Sequence, residues 1–292
     1  MNKFKKILVA VAPLLALSSL SCTNKSQNIT ISNNISNYQE SNQWNLFINQ
    51  DAIQSILTTI YDNPESIQSY LDSQLNINED YTRILNESLV FNNSLSLSFG
   101  SDSGGFLSSV PKPFPLRELD KQIQDLFEHN WLWYLFNLNK AEFIYYPQFD
   151  RFETNSESIK LDTLQNSLSN SSFFRPLSNK ILQFSKQYYE DSQEYKTYNF
   201  FLLLDGGFIL KLQVDKYFED GKWDTSINLD SYIYSYPYIF NKENVNNIFN
   251  ISKYVSDTQS FFELSENRSK SILFKENYGS SELRFTLSAI KK

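Results

Sequence analysis

The sequence predicts an α+β protein, with a helical N-terminal part followed by an antiparallel sheet (a meander and a C-terminal hairpin) packed by helices. Three observations predict it. Apolar residues recur at helical spacing between residues 44 and 85. They alternate one by one along several stretches after residue 198. The 7 glycines of the 292-residue chain all fall where turns or loops are expected, so the local signals agree with one another.

The chain opens with Lys3, Lys5 and Lys6, then an uncharged and largely apolar stretch from Ile7 to Leu20. That stretch is too short for an ordinary membrane-spanning helix of about 20 residues, so residues 1–21 read as an export signal. Cys22, the single cysteine, stands where the apolar stretch ends. Leu17-Ser18-Ser19-Leu20-Ser21-Cys22 resembles the lipobox of bacterial lipoproteins, with small Ser21 before the cut and Ser19 where that family prefers Leu. The resemblance implies cleavage before Cys22 and a diacylglyceryl group on its sulfur. Residues 22–42 then form a lipid-anchored tether, Ser- and Asn-rich without an apolar period, with a reach of roughly 25 Å.

Charge agrees with an anchor made of lipid. The full chain has 26 basic and 33 acidic residues, net −7. Without Lys3, Lys5 and Lys6 it has 23 against 33, net −10, and gains nothing from an anionic bilayer. The same balance argues against nucleic acid as a partner. Beyond Cys22 the only alanines are Ala52, Ala141 and Ala289. That scarcity, with abundant Asn, Ile, Phe and Tyr, resembles a surface lipoprotein of a mycoplasma-type bacterium.

The elements follow in order. Residues 43–99 read as a helical segment. Trp44, Phe47, Ile48, Ala52, Ile56, Ile60 and Tyr61 carry one apolar stripe. Asn63-Pro64-Glu65 caps the next helix, with Ile67, Tyr70, Leu71 and Leu75 on one side, and a third runs through Tyr81, Ile84 and Leu85. Ser94–Phe99 alternates as a short strand. Residues 100–115 hold three glycines and three prolines, a loop expected to be mobile and to mark a domain boundary. An α+β domain then spans 116–292.

It begins with a helix whose stripe is Leu116, Ile123, Phe127, Tyr134 and Leu138. Its end is apolar nearly all round, which places Trp131, Trp133, Tyr134 and Phe136 in the core. Lys140–Phe149 reads as a strand that Pro147 assigns to an edge. Ile181, Leu182, Ser185, Tyr188 and Tyr189 fit a helix capped by Ser178. Tyr198–Leu204 and Phe208–Tyr217 make a hairpin around Asp205-Gly206-Gly207. Asp220-Gly221 turns into a third strand from Trp223 to Tyr236, a helix runs from Asn241 to Val255, and Ser271–Lys275 pairs with Glu282–Ile290.

Chemistry is sparse. One His and one Cys leave no thiolate zinc site and no site needing two imidazoles, and no cofactor is expected. His129, Asp125 and Glu128 are neighbours in sequence without a nucleophile at a recognisable spacing. The run His129–Asn137 with Phe143, Tyr145 and Tyr146 resembles the aromatic stretch of the mycoplasma surface proteins called aromatic motif or aromatic cluster proteins. Tyr232, Tyr234 and Tyr236 share one strand face opposite Ile227, Leu229 and Ile233, either as a binding surface or beneath a helix. The reading is a lipid-anchored, non-enzymatic surface protein that binds a host or envelope protein. The alternatives are a solute-binding lipoprotein of a transporter and a surface hydrolase using acidic residues.

Overall fold

The computed structural model describes residues 38–75, 77, 80–87, 114–145, 164, 166–171, 173–229, 232–263, 277–279 and 282–291. Cys22, the Ser94–Phe99 stretch, most of the Gly/Pro loop and Ser271–Lys275 lie outside them. Helices α1 (Tyr38–Ile48), α2 (Asp51–Ile60), α3 (Pro64–Leu75), α4 (80–87) and α5 (Phe114–Phe136) precede the first strand. The strands are β1 (Ala141–Tyr145), β2 (Ile181–Ser192), β3 (Tyr195–Leu204), β4 (Phe208–Glu219), β5 (Lys222–Leu229), β6 (Tyr232–Ser235) and β7 (Leu283–Ile290). Helices α6 (Val245–Ile248) and α7 (Ile251–Glu263) lie between β6 and β7. All seven strands form one sheet in the order β1-β7-β6-β4-β3-β2, with β5 also on β4, and each pairing is antiparallel. The α+β architecture expected from the sequence is the one observed.

Helix starts follow the expected chemistry. The Asn63 Oδ1 accepts the Ser66 N–H at 2.8 Å, which caps α3. Helix α1 begins at Tyr38, inside the stretch read as tether, and its stripe continues into α2 across a break. There Gln50 is extended (φ −66°, ψ 138°). Its side chain accepts the Ile181 N–H at 2.8 Å and donates to the Asn179 carbonyl at 3.3 Å. The α1–α2 junction is thereby tied to the start of β2.

Helix α5 is kinked at Asn130 (φ −128°, ψ 32°). Buried Gln74 of α3 meets the kink, accepting the Trp133 N–H at 3.2 Å and donating to the His129 carbonyl at 3.3 Å. A side chain inserted into the helix ladder is a recognised cause of bending.

Three expectations change. Ile181–Ser192 is a strand, not a helix; it pairs with β3 along its length. A short apolar run fits both periods, and here the neighbouring strand decides. Ser178 makes a turn, with its hydroxyl donating to Asp205 at 3.1 Å and accepting the Lys180 N–H at 3.2 Å. The third strand is two strands, because β5 follows the outer half of β4 while β6 leaves to pair with β7. The Asn241–Val255 helix is broken: Asn241 and Asn244 have positive φ (50° and 55°), Phe249 is extended, and Asn250 caps α7 by accepting the Lys253 N–H at 2.8 Å. Strand β7 has β1 and β6 as neighbours, and its expected hairpin partner at 271–275 lies outside the described residues.

The sheet has a core on each face. On one, Phe200, Leu202, Leu204, Phe208, Leu210, Leu212, Ile233, Phe285 and Leu287 join Trp44, Phe47, Ile56, Leu71, Phe127 and Trp131 from the helices. Helices α1–α5 and the sheet thus share one hydrophobic cluster. On the other face, Leu203, Ile209, Tyr234 and Tyr236 meet Val245, Phe249, Ile251, Tyr254, Val255 and Tyr278. The β3–β4 turn needs glycine at Gly207 (φ 78°), since an added Cβ would lie 2.0 Å from the Ile239 carbonyl oxygen.

Candidate binding surface

The tyrosine face read from the sequence is a covered one. Tyr234 and Tyr236 are buried beneath α7, so the expectation of an open platform at Tyr232, Tyr234 and Tyr236 gives way to the other reading, a face under a helix. The Tyr236 and Tyr254 hydroxyls are hydrogen bonded at 2.8 Å, and Tyr278 donates to Asp257 at 2.9 Å. The rings of Tyr236, Tyr254 and Tyr278 lie 5.1–5.5 Å apart. Burial pushes all four phenols up from their ordinary value, so they stay neutral and able to donate. Tyr232 is half-buried, with the Arg284 guanidinium 4.0 Å from its ring centre. The signal for this was the apolar set Val245, Phe249 and Val255, a stripe that needs a surface to cover.

The 131–136 cluster joins the helices. Trp131 stacks on Tyr70 of α3 at 5.6 Å, and Trp133 meets Tyr81 of α4 edge-on at 4.9 Å. Phe136 contacts Trp44 and Phe47 of α1 at 5.0 and 5.2 Å, while Tyr134 packs on Phe127 of α5 itself at 4.8 Å. Trp131 and Tyr134 are fully buried; Trp133 and Phe136 are half-buried against the same core.

The acidic candidates point different ways. The His129 Nδ1 lies 2.7 Å from the Asp125 carbonyl of its own helix, and Glu128 accepts the Ile227 N–H at 3.4 Å. Among the described residues no three His, Cys, Asp or Glu side chains gather as a metal site.

Exposed aromatic residues collect elsewhere, on the outer half of the β2–β5 meander. Register runs Tyr188–Tyr198–Val214–Ile227 across four strands, and Phe218 opposes Trp223 at the next turn. Tyr188 is 47% exposed, Phe218 41% and Trp223 39%. Tyr188 and Tyr198 rings lie 5.0 Å apart, and Phe218 and Trp223 5.5 Å. Lys196 sits 4.8 Å over Trp223, and Lys186 4.8 Å over Tyr198 while donating to Thr59 of α2 at 2.8 Å. Lys216 is paired with Asp62 at 3.0 Å. Lysine over an exposed indole holds a ring in place and keeps a cation at the surface.

The surface begins where α2 ends. Helix α2 runs from the start of β2, at Gln50, to Lys186, at Thr59; Tyr188, Phe218 and Trp223 lie beyond it and are exposed. The tip lies about ten residues along β2 from the Gln50 contact, roughly 33 Å at strand rise. Sequence reading missed this surface, although a signal existed. Along β4 the core-facing positions Phe208, Leu210, Leu212 and Val214 change to Lys216 and Phe218, a switch from aliphatic to lysine and ring on one face.

Comparisons with known proteins bear on identity. No helix among the described residues is long and apolar enough to cross a membrane. Searches of curated proteins and of solved structures returned no match. A family model described as aromatic cluster surface protein matches residues 27–279, from before α1 to the Tyr278 turn. The match spans both the helical part and nearly all of the sheet, and the chain belongs to the aromatic cluster surface protein family, a family of surface proteins.

Proposed function

We propose that this surface protein is held by a lipid on Cys22 and binds a protein partner of host or envelope origin through the outer β4–β5 hairpin. The observation that supports the reading is the exposed Phe218–Trp223 pair with Lys196 over the indole. Aromatic side chains backed by a rigid sheet give contact area at small entropic cost. The partner surface stands roughly 33 Å along the sheet from the α1–α2 junction. Asp125, Glu128 and His129 take no part in this reading, and one continuous sheet with a core on each face differs from the two α/β lobes expected of a solute-binding lipoprotein.

Cells displaying the chain are assayed for adhesion to host-cell monolayers and to isolated envelopes. The double variant Trp223→Ala, Phe218→Ser is expected to lose binding by about tenfold or more with an unchanged circular dichroism spectrum. Binding that survives the double variant refutes the assigned surface. Radiolabelled palmitate that enters the Cys22→Ser chain as readily as the parent refutes the anchor.

A further inference from the structure

The meander has a reverse face, opposite the one that bears Phe218 and Trp223. Along β4, Leu210, Leu212 and Val214 enter the core under α1–α5 and Ile209 the core under α7, so Gln213, Asp215 and Tyr217 stand on the α7 side. Helix α7 lies over β2 and β3, and the part of this face built by β4 and β5 falls beside it. Register sets Asn199, Gln213 and Asn228 side by side across β3, β4 and β5, with Thr197, Asp215 and Ser226 in the next row. Asn and Asp are depleted from strands, yet Asn199, Asp215 and Asn228 make up half of these two rows. Local choices that oppose the fold are expected where function requires them.

One group in these rows lacks a partner. The Asn199 Oδ1 is closed to solvent, and no donor among the described residues reaches it. A buried acceptor is costly until something completes it. Asn199 as a whole is half-buried, and a turn of its carboxamide about χ2, a soft torsion for this side chain, brings the oxygen to a donor arriving over the row. Asn228 is exposed and Gln213 and Ser226 are half-buried. We propose that this face binds a neutral oligosaccharide laid across β3, β4 and β5. A carboxamide carries an acceptor and two donors in one plane. Three of them at the strand spacing of about 4.8 Å match a ligand whose hydroxyls each donate and accept. Asp215 is engaged on both oxygens, by the Thr197 hydroxyl at 2.6 Å and the Gln213 amide at 2.8 Å, so recognition rests on hydrogen bonds rather than on charge. Lys211 stands one row further in, opposite Phe201. Tyr217, half-buried in the row toward the β4–β5 turn, supplies a ring for the apolar face of a sugar. The proposal is independent of the protein-binding surface, which uses the other side of the same strands.

Titration calorimetry on the full chain, in a detergent without a sugar headgroup, tests it. The probes are chitotriose, maltotriose, cellotriose and N-acetyllactosamine, with sialyllactose as the charged comparison. At least one neutral sugar is expected to bind, and Asn199→Val to weaken it by about tenfold or more. The same substitution is expected to leave the urea midpoint equal or raised, because it removes an uncompleted acceptor and brings a better strand former. An Asn199 that served only the fold would lower the midpoint. Asn228→Ala, at an exposed position, leaves the core untouched and is expected to weaken binding by about threefold or more. The double variant Trp223→Ala, Phe218→Ser is expected to bind sugar as the parent does. No heat from any neutral sugar, or binding of sialyllactose alone, overturns the proposal. So does an Asn199→Val chain that binds as the parent or unfolds at lower urea, and loss of sugar binding in the Trp223, Phe218 double variant moves the sugar to that other surface.

Discussion

The two faces of the sheet are made by alternate residues of the same strands and hold different chemistry. Under helices α1–α5 the β4 strand contributes Phe208, Leu210, Leu212 and Val214 to a core without tyrosine hydroxyls from the sheet's centre. On the reverse face β6 and the residue after it contribute Tyr234 and Tyr236, and α7 with the turn before β7 answers with Tyr254 and Tyr278. Five helices can bury their partners completely, so hydrocarbon suffices there. One 13-residue helix covers the other face, and phenols suit it because a ring fills area while its hydroxyl finds a partner at the margin. The difference teaches that aromatic excess in this chain is three things: helix joints, a tyrosine network, and an exposed strip.

That comparison is sharpened by perturbing each part in turn. Trp131→Ala removes a fully buried indole stacked on Tyr70 and is expected to cost about 3–5 kcal/mol in urea unfolding. A loss below about 1 kcal/mol would mean that α3 and α5 are not joined there.

Alkaline titration addresses the other face. The phenols of Tyr234, Tyr236 and Tyr254 are raised by burial, so above pH 10 the unfolded chain releases protons that the folded chain keeps. Stability is therefore full below about pH 10 and falls as pH rises beyond it, by about 1.4 kcal/mol per pH unit for each such tyrosine. Phenolate absorbance should appear in two stages, with the buried set ionising only as the circular dichroism signal is lost. A single ordinary titration with the fold intact would show these rings to be solvated.

The smallest effect is expected of Tyr236→Phe, which removes the hydroxyl bonded to Tyr254 and leaves the ring: about 1 kcal/mol in thermal or urea unfolding. Tyr254→Phe should cost at least as much, since Tyr254 also bonds Tyr234, and the double variant less than the sum, because the Tyr236–Tyr254 bond is shared by both single losses. Strict additivity would dissolve the network into separate rings.

Much of this was legible locally. Asn63-Pro64 starts a helix because its amide oxygen reaches the free N–H groups of the first turn. Asp205-Gly206-Gly207 turns a hairpin because both glycines adopt positive φ. The apolar end of α5 implied burial, and Trp131 and Tyr134 are buried. The β2 strand was misread because Ile181, Leu182, Tyr188 and Tyr189 recur at helical spacing, whereas a strand with a core on each face takes apolar residues on both, Ile181 on one and Leu182 on the other; only the ten β3 residues alongside resolve it. The helix at 241–255 was misread because Asn241 resembles a cap, whereas its positive φ serves a turn.

By itself, then, the sequence determined the α+β class, the central hairpin, the burial of the 131–138 run and membership among aromatic surface proteins, since each depends on contacts a few residues apart or on composition. Only the tertiary structure decided which aromatic residues face solvent. Tyr234 and Tyr188 sit in strands of similar composition. One lies beneath α7 and the other beyond the end of α2, and where a helix stops over a sheet is set by packing between distant segments, which no local spacing encodes.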